Sequence, residues 1–406
     1  ILLCSMLGGM RAVTWTQVAQ YIVLIIAYLL PVFWISSKMG AGFFPHFMLA
    51  DEVARIAELE GQFGFVKNSA ADLATVPKGL AGITKAHSEV NTTPWKFISL
   101  VICMMAGTAS LPHVMMRYFT SPSVKSARRS VAWSLFFIFL LYSTAPMLAT
   151  LSKLSLMDPT LATGIIGKPI AEVQQIDWYQ NWNQAKLMYV SDFNGNGTLE
   201  LNEFFMGGKA VVLATPEIAG LPYVISGLVA AGGMAAAMST ADGLVLAIAN
   251  ALSHDLYYKI IDPKAETAKR LIVARVLLVL IGFAGATIAA MKIQGILGSV
   301  IWAFDFAMSG LFFPLVLGVW WKRANKQGAV AGMLLGLASG TAYLVWVRNG
   351  GAGFWGVTQL TFGIVGSLVS LVSMVVVSLI TPAPDAKTQA MVDEVRIPSG
   401  RTVTGN

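Results

Sequence analysis

The stretch Gly220–Leu256 is long enough to cross a bilayer and is built largely of small residues, yet it carries Ser239, Thr240 and Asp242 in its middle. A charge at mid-membrane costs about 2.5–3.5 kcal/mol on insertion scales, and such residues face a bundle interior or a pathway rather than lipid. Ala236, Ser239 and Thr240 fall at i, i+3 and i+4 and share one helix face. Hydroxyl and backbone oxygens gathered on one face are what a hard monovalent cation needs as it sheds water. Ser and Thr equally let helices pack closely, and the helix alone does not choose between the two. Asp242 adds a carboxylate to the same stretch and is a candidate for the substrate pathway.

A second constellation is polar throughout. Asp192, Asn194, Asn196, Thr198, Glu200 and Glu203 occupy positions 1, 3, 5, 7, 9 and 12 of a D-x-[DN]-x-[DN]-G-x5-E loop, with Gly197 at position 6. Oxygens at these positions surround Ca²⁺, and glycine at position 6 permits the sharp turn. Trp182–Val190 reads as the entering helix, whereas Gly207-Gly208 stops any exit helix after Met206. The alternative is an Asn/Gly-rich turn in a solvated loop.

Two further intramembrane features have chemical potential. Gly107-Thr108-Ala109-Ser110-Leu111-Pro112-His113 interrupts an apolar run. Pro112 lacks an amide donor and disfavours helix at Leu111. Unwound backbone at membrane depth is tolerated where it is buried or lines a cavity, and in secondary transporters it marks the substrate site. Gly107, Thr108 and Ser110 are therefore pathway candidates, against a plain proline kink. His113 is a possible proton carrier, and Arg117 an interfacial anchor. Asp305, in Trp-Ala-Phe-Asp-Phe-Ala-Met-Ser-Gly, is a second intramembrane acid; its plainer reading is a buried acid bonded to a neighbouring helix.

These side chains need a membrane scaffold, and the composition supplies one. Of 406 residues, 56% are hydrophobic and only 12% charged, with a mean hydropathy of +0.67, where a soluble domain has roughly 25% charged residues. Cys4 and Cys103 both lie in apolar segments, which implies neither a disulfide nor a metal site. Eight spans are expected, over about Thr14–Ser36, Trp95–Phe119, Val131–Leu151, Ile218–Ser253, Lys269–Ala290, Ile296–Trp320, Ala329–Val347 and Leu360–Ile380. Ile1–Gly9 is too short to span and reads as the stub of a helix begun upstream, so the chain reads as a C-terminal fragment. Long loops cover 38–93 and 152–216.

Arg11, then Lys125, Arg128 and Arg129, then Lys259, Lys264, Lys269 and Arg270, then Lys322, Arg323 and Lys326 lie in alternate short loops. The positive-inside rule puts these loops and the tail 383–406 in the cytoplasm and both long loops outside. The net charge of +7 is thereby accounted for without nucleic acid as a partner.

The motifs GGMRAVTWTQVAQ, GTASLPHVMMRYFT and AAAMSTADGLVLAIANALSHDLYYK resemble the sodium:solute symporter family, and within it the cation/acetate symporter branch. The resemblance covers nearly the whole chain apart from the outer loops and the tail. It implies an all-α polytopic membrane protein with a leucine-transporter-like inverted-repeat bundle, here the end of the fifth of thirteen spans and spans six to thirteen. It also implies that Ala236, Ser239 and Thr240 match the family's sodium ligands, the rest of that site being backbone on a span absent from this chain. Gln17 of Trp15-Thr16-Gln17 stands where several members carry an Asp associated with a second cation, and it cannot supply that charge.

The reading is a transmembrane symporter domain over residues 1–382, in a cell inner membrane. It couples Na⁺ to import of a small organic solute, a monocarboxylate such as acetate by resemblance alone. Its expected associates are Na⁺, the lipid bilayer, a structural Ca²⁺ and a small membrane partner subunit. The competing class is a transporter-like solute or calcium sensor or regulatory subunit without turnover, which the short tail disfavours. An enzyme is not expected, because no nucleophile–base set or cofactor motif is present.

Overall fold

A computed structural model describes residues 2–40, 45–64, 68–83, 93–291, 293 and 295–396. In chain order the elements are α1 (Leu2–Lys38), α2 (Leu49–Phe63), α3 (Ala70–Thr75), β1 (Ala81–Gly82), α4 (Pro94–Ala109), α5 (Pro112–Met115), α6 (Val124–Met157), α7 (Ile170–Val173), α8 (Asp177–Gln184), β2 (Met188–Val190), β3 (Phe204–Met206), α9 (Val211–Ile218), α10 (Tyr223–Asn250), α11 (Thr267–Ala290), α12 (Ile296–Ala307), α13 (Phe313–Trp320), α14 (Lys326–Arg348), α15 (Gly363–Ile380) and α16 (Ala386–Arg396). They form two compact units, Ile1–Ser88 with Trp133–Leu246, and Glu89–Ala132 with Ala247–Asn406.

Among the described residues, seven helices are long and apolar enough to cross a membrane. The pair Pro94–Ala109 and Pro112–Tyr118, bent by 48°, makes an eighth if it counts as one broken span. This is the expected set, with local differences. The stub runs into the first span as one helix broken at Gly9, whose φ of 55° and ψ of −154° suit glycine. The span expected from Ile218 begins at Tyr223, because Gly220 (φ 63°) separates it from α9. Its far end continues as a π-helix over Ala251–Ile261. The span Ile296–Trp320 contains a π-turn, Met308–Phe312, between α12 and α13. Pro314 explains its position: it has no amide to offer the carbonyl one turn back, and the ladder is re-spaced there.

The first unit also folds α2 and the stretch after α6 into one body. Ile56 and Leu59 of α2 pack with Leu154, Met157, Ile165, Leu199 and Phe204 in a common buried core. The helical architecture holds, with one local addition. A small antiparallel sheet has the order β1-β3-β2, with Tyr189 opposite Phe205 and Ala81 opposite Met206. The expected helix over Trp182–Val190 is corrected. Helix α8 ends at Gln184, Lys186 takes a left-handed φ of 59°, and Met188–Val190 pairs as a strand.

Asp158, just past α6, ties this body together. Its carboxylate accepts from the Thr160 amide (2.9 Å) and hydroxyl (2.7 Å) and from Arg55 Nε (3.2 Å), and Lys153 pairs with Glu60 beside it. Burial opposes the Asp158 charge, but the Thr160 and Arg55 bonds outweigh it and hold the carboxyl below its ordinary value of 3.8. A carboxyl depressed on folding contributes stability above its unfolded pKa and loses it as pH falls through the folded one. Asp158→Ala is therefore expected to lower stability at neutral pH by about 1–3 kcal/mol. Thermal melts of the detergent-solubilised protein should show that gap closing at strongly acid pH; a gap unchanged with pH would contradict it.

In the second unit the tightest pairing is α14 on α15. Gly328, Gly332, Gly336 and Gly340 recur every four residues along one face of α14; the first three meet Gly366, Ser370, Met374 and Ser378 of α15, and Gly340 meets Ser309 and Phe362. Small residues at this spacing let membrane helices approach backbone to backbone. Asn325 caps α14 through Gly328 N (2.8 Å) and reaches the end of α15 through Thr381 Oγ1 (2.7 Å). The tail forms α16, held to the end of α13 by Lys322–Asp393 (2.8 Å) and by Arg396 lying 5.8 Å from the Trp320 ring centre. Residues 397–406 of the tail lie outside the described residues.

Candidate functional site

In the first unit α1 and α10 approach closely. A Cβ added at Gly232 would sit 2.4 Å from the Ala27 Cβ. Further along the same pair, Gln17 Nε2 donates to the Ser239 carbonyl at 2.6 Å. Gln17 thus fixes the backbone at the centre of the triad, a role its sequence position did not reveal. Ser239 Oγ and Thr240 Oγ1 both donate to the Ala236 carbonyl, at 3.0 and 3.4 Å. A hydroxyl that donates its proton to the backbone keeps its lone pairs free, so both can accept a cation. Ala236, Ser239 and Thr240 are therefore brought together as one oxygen-bearing face, and Asp242 is buried one turn further on. A cavity of about 790 Å³ reaches Ala236; Leu24, Tyr28, Tyr142, Lys209 and Gly233 are among its lining residues.

The pathway candidates Gly107, Thr108 and Ser110 lie in the second unit, at the end of α4. The helix breaks at Ser110–Leu111, as Pro112 predicts, and Pro112 starts α5. Ser110 is fully buried with its hydroxyl on Ala106 O (2.6 Å), and the exposed Thr108 bonds Met104 O (2.6 Å). Gly107 lies against α12, where an added Cβ would sit 2.6 Å from the Phe304 Cβ. Ser110 and Gly107 thus serve helix packing in this arrangement, and Thr108 alone of the three is open. Asp305 is fully buried nearby, with Cys103.

The polar loop closes the β2–β3 hairpin. Asp192 accepts from Gly197 N (2.9 Å), Asn194 from Asn196 N (2.9 Å) and Asn196 from Thr198 N (2.7 Å). Glu200 accepts from the side chains of Asn194 (2.8 Å) and Asn196 (2.9 Å). Glu203 is fully buried and accepts from the amides of Phe193 (2.8 Å) and Glu200 (3.0 Å). Gly195 and Gly197 take φ of 72° and 74°. The donor types suit Ca²⁺, but the carboxylates are drawn onto the loop's own amides. Among the described residues no three His, Cys, Asp or Glu side chains converge as a metal-holding group.

The family model for sodium:solute symporters matches residues 1–163 and 209–336. The chain belongs to the sodium:solute symporter family. The family is one of transporters, not enzymes, and the stretch its model passes over, 164–208, contains the polar loop. An uncharacterised symporter of Cupriavidus necator is 35% identical over 94% of this chain and 68% of its own length. A monocarboxylic acid transporter of Corynebacterium glutamicum is 25% identical over 82% of this chain and 52% of its own. The chain thus spans between about half and two thirds of these relatives. A solved Na⁺-coupled sialic acid symporter, substrate-bound and outward-open, superposes with a TM-score of 0.55 at 18% identity, over 94% of this chain and 65% of that one. That likeness shows the leucine-transporter-like fold.

Proposed function

We propose that this chain serves Na⁺-coupled import of a small organic solute, with Ala236, Ser239 and Thr240 supplying oxygens to the ion. The observation that carries the reading is the hydroxyl pair on α10, turned onto the Ala236 carbonyl beside a Ser239 carbonyl held by Gln17. Alternating access would then follow from Na⁺ favouring one packing of this helix over another, since a ligand shifts an equilibrium only by its differential affinity for the two states. A monocarboxylate is the substrate class supported by the Corynebacterium relative and by the resemblance to acetate-type members. The basic short loops support a cytoplasmic tail and an inner-membrane setting. Uptake of labelled acetate, pyruvate and proline by the full-length protein tests the substrate class: the two monocarboxylates should be taken up in competition with each other, and preference for proline would contradict it.

A structural Ca²⁺ in the Asp192–Glu203 loop is a further part of this reading, supported by the motif and by the two left-handed glycines. Binding would require Glu203 to exchange two amides for the ion, which favours the weak range of extracellular modules, about 0.1–1 mM. Saturating Ca²⁺ should raise the melting temperature of wild type and leave Glu203→Gln unmoved, a gain of about 2.7 kcal/mol at a hundredfold excess. No shift in wild type at millimolar Ca²⁺ would contradict it.

A further inference from the structure

Asp305 is 0% exposed in the middle of a membrane span, and the Na⁺ site on α10 does not use it. Neither of its carboxyl oxygens makes a hydrogen bond of good geometry. The polar groups facing them are the Cys103 thiol and the amides of Phe362 and Gly363 at the start of α15. Packing leaves no room for a larger ligand: a Cβ added at Gly363 would sit 2.8 Å from Asp305 Oδ1.

Among the described residues, no compensating cation faces it from the elements packed on α12. On α4 the titratable groups are Cys103 and, about 10 Å earlier along the axis, Lys96. On α14, Tyr343 is engaged with Val357 O and Phe354 N, Arg348 lies over the Trp302 ring and on Ile293 O, and Lys326 is at the first turn. The π-turn and α15 carry no titratable residue. A metal cation would need several converging oxygens. The hydroxyl one turn on, Ser309 Oγ, is turned onto the Asp305 backbone carbonyl at 2.7 Å. A proton needs only the carboxyl.

Resting on the transport reading above, we propose that Asp305 is a proton-binding site of the transport cycle. It is loaded as the neutral acid in the packing seen here and releases its proton to water when the contacts among α4, α12 and α15 open. The step is a simple dissociation, carboxylic acid to carboxylate plus a proton, with no other bond changed. The π-turn one turn beyond Asp305 is the element whose re-spacing would open these contacts. Released, the carboxylate charge would be held by the first amides of α15, where a helix favours negative charge. The cycle then moves a proton in addition to Na⁺.

The test uses the full-length protein in proteoliposomes with a trapped pH-sensitive dye, an inward Na⁺ gradient and labelled pyruvate. Wild type should acidify the lumen as pyruvate enters. In Asp305→Asn, which keeps size and polarity, the protons entering per pyruvate taken up should fall to the leak level, and the Na⁺-driven uptake that the variant retains should lose its pH dependence. Acidification per pyruvate by Asp305→Asn equal to wild type would overturn the proposal. If wild type takes up no pyruvate, the transport reading fails for that substrate, and infrared difference spectra of the purified protein decide the proton site alone. A protonated-carboxyl band should vanish on alkalinisation, with a midpoint that moves in Cys103→Ala. A band indifferent to pH would mark Asp305 as a fixed structural acid and overturn the proposal, including where Asp305→Asn does not insert.

Discussion

Replacing Ser239 and Thr240 together with Ala is expected to raise the Na⁺ concentration for half-maximal solute uptake by about 10–100-fold, the range seen when groups supporting a bound metal are removed. Both hydroxyls already donate to the Ala236 carbonyl, so their lone pairs are the groups lost to the ion. The backbone hydrogen bonds of α10 are untouched by the change, and Ala has the higher helix propensity, so the helix should insert as before. The maximal rate at saturating Na⁺ should fall less than the apparent affinity. Na⁺ titrations of uptake at fixed solute, with surface expression measured in parallel, check this. An unchanged Na⁺ dependence in a well-inserted double variant would remove both hydroxyls from the site.

The largest structural effect is expected at Gly336. A Cβ there would sit 2.1 Å from the Ser309 carbonyl oxygen, 2.7 Å from the Ser370 Cβ and 3.1 Å from the Gly366 carbonyl oxygen. Two of those contacts are backbone and cannot swing aside. Overpacking a full core position costs about 1–3 kcal/mol, and Gly336→Leu inserts four carbons where even one has no room. The expected outcome is separation of α14 from α15, seen as loss of the folded fraction in detergent and a lower melting temperature. Gly285→Leu on α11, where an added Cβ meets nothing within 4 Å, is the control and should melt as wild type. Equal behaviour of the two variants would contradict the close-packed reading of the α14 glycines.

What was legible in the sequence follows from which forces act locally. Spans were readable because each must satisfy its backbone internally within a fixed thickness. The break after Ala109 was readable because Pro112 lacks a donor. Ala236, Ser239 and Thr240 were readable because three helical neighbours share a face regardless of what they meet. The body around the small sheet was not. Its strands are two or three residues long and pair residues as far apart as Ala81 and Met206, so their partners decide their state and not their own pattern. Met188–Val190 reads as helix in the sequence because nothing there marks Lys186 as left-handed. In the sequence Gln17 shows only a missing charge. That its amide holds the Ser239 carbonyl depends on α1 lying against α10, a contact between positions 222 residues apart. The recurrence of Gly328, Gly332, Gly336 and Gly340 was present in the sequence as a four-residue period and is the signal by which the α14–α15 pairing was discoverable.

The central claim is Na⁺ coupling, and its most direct measurement is labelled pyruvate uptake into proteoliposomes of the full-length protein, with an inward Na⁺ gradient or with K⁺ in its place. A tenfold Na⁺ gradient carries about 1.4 kcal/mol per ion. It should drive transient accumulation above the external concentration, abolished by a Na⁺ ionophore and absent with K⁺. Uptake equal in Na⁺ and K⁺ would contradict the account.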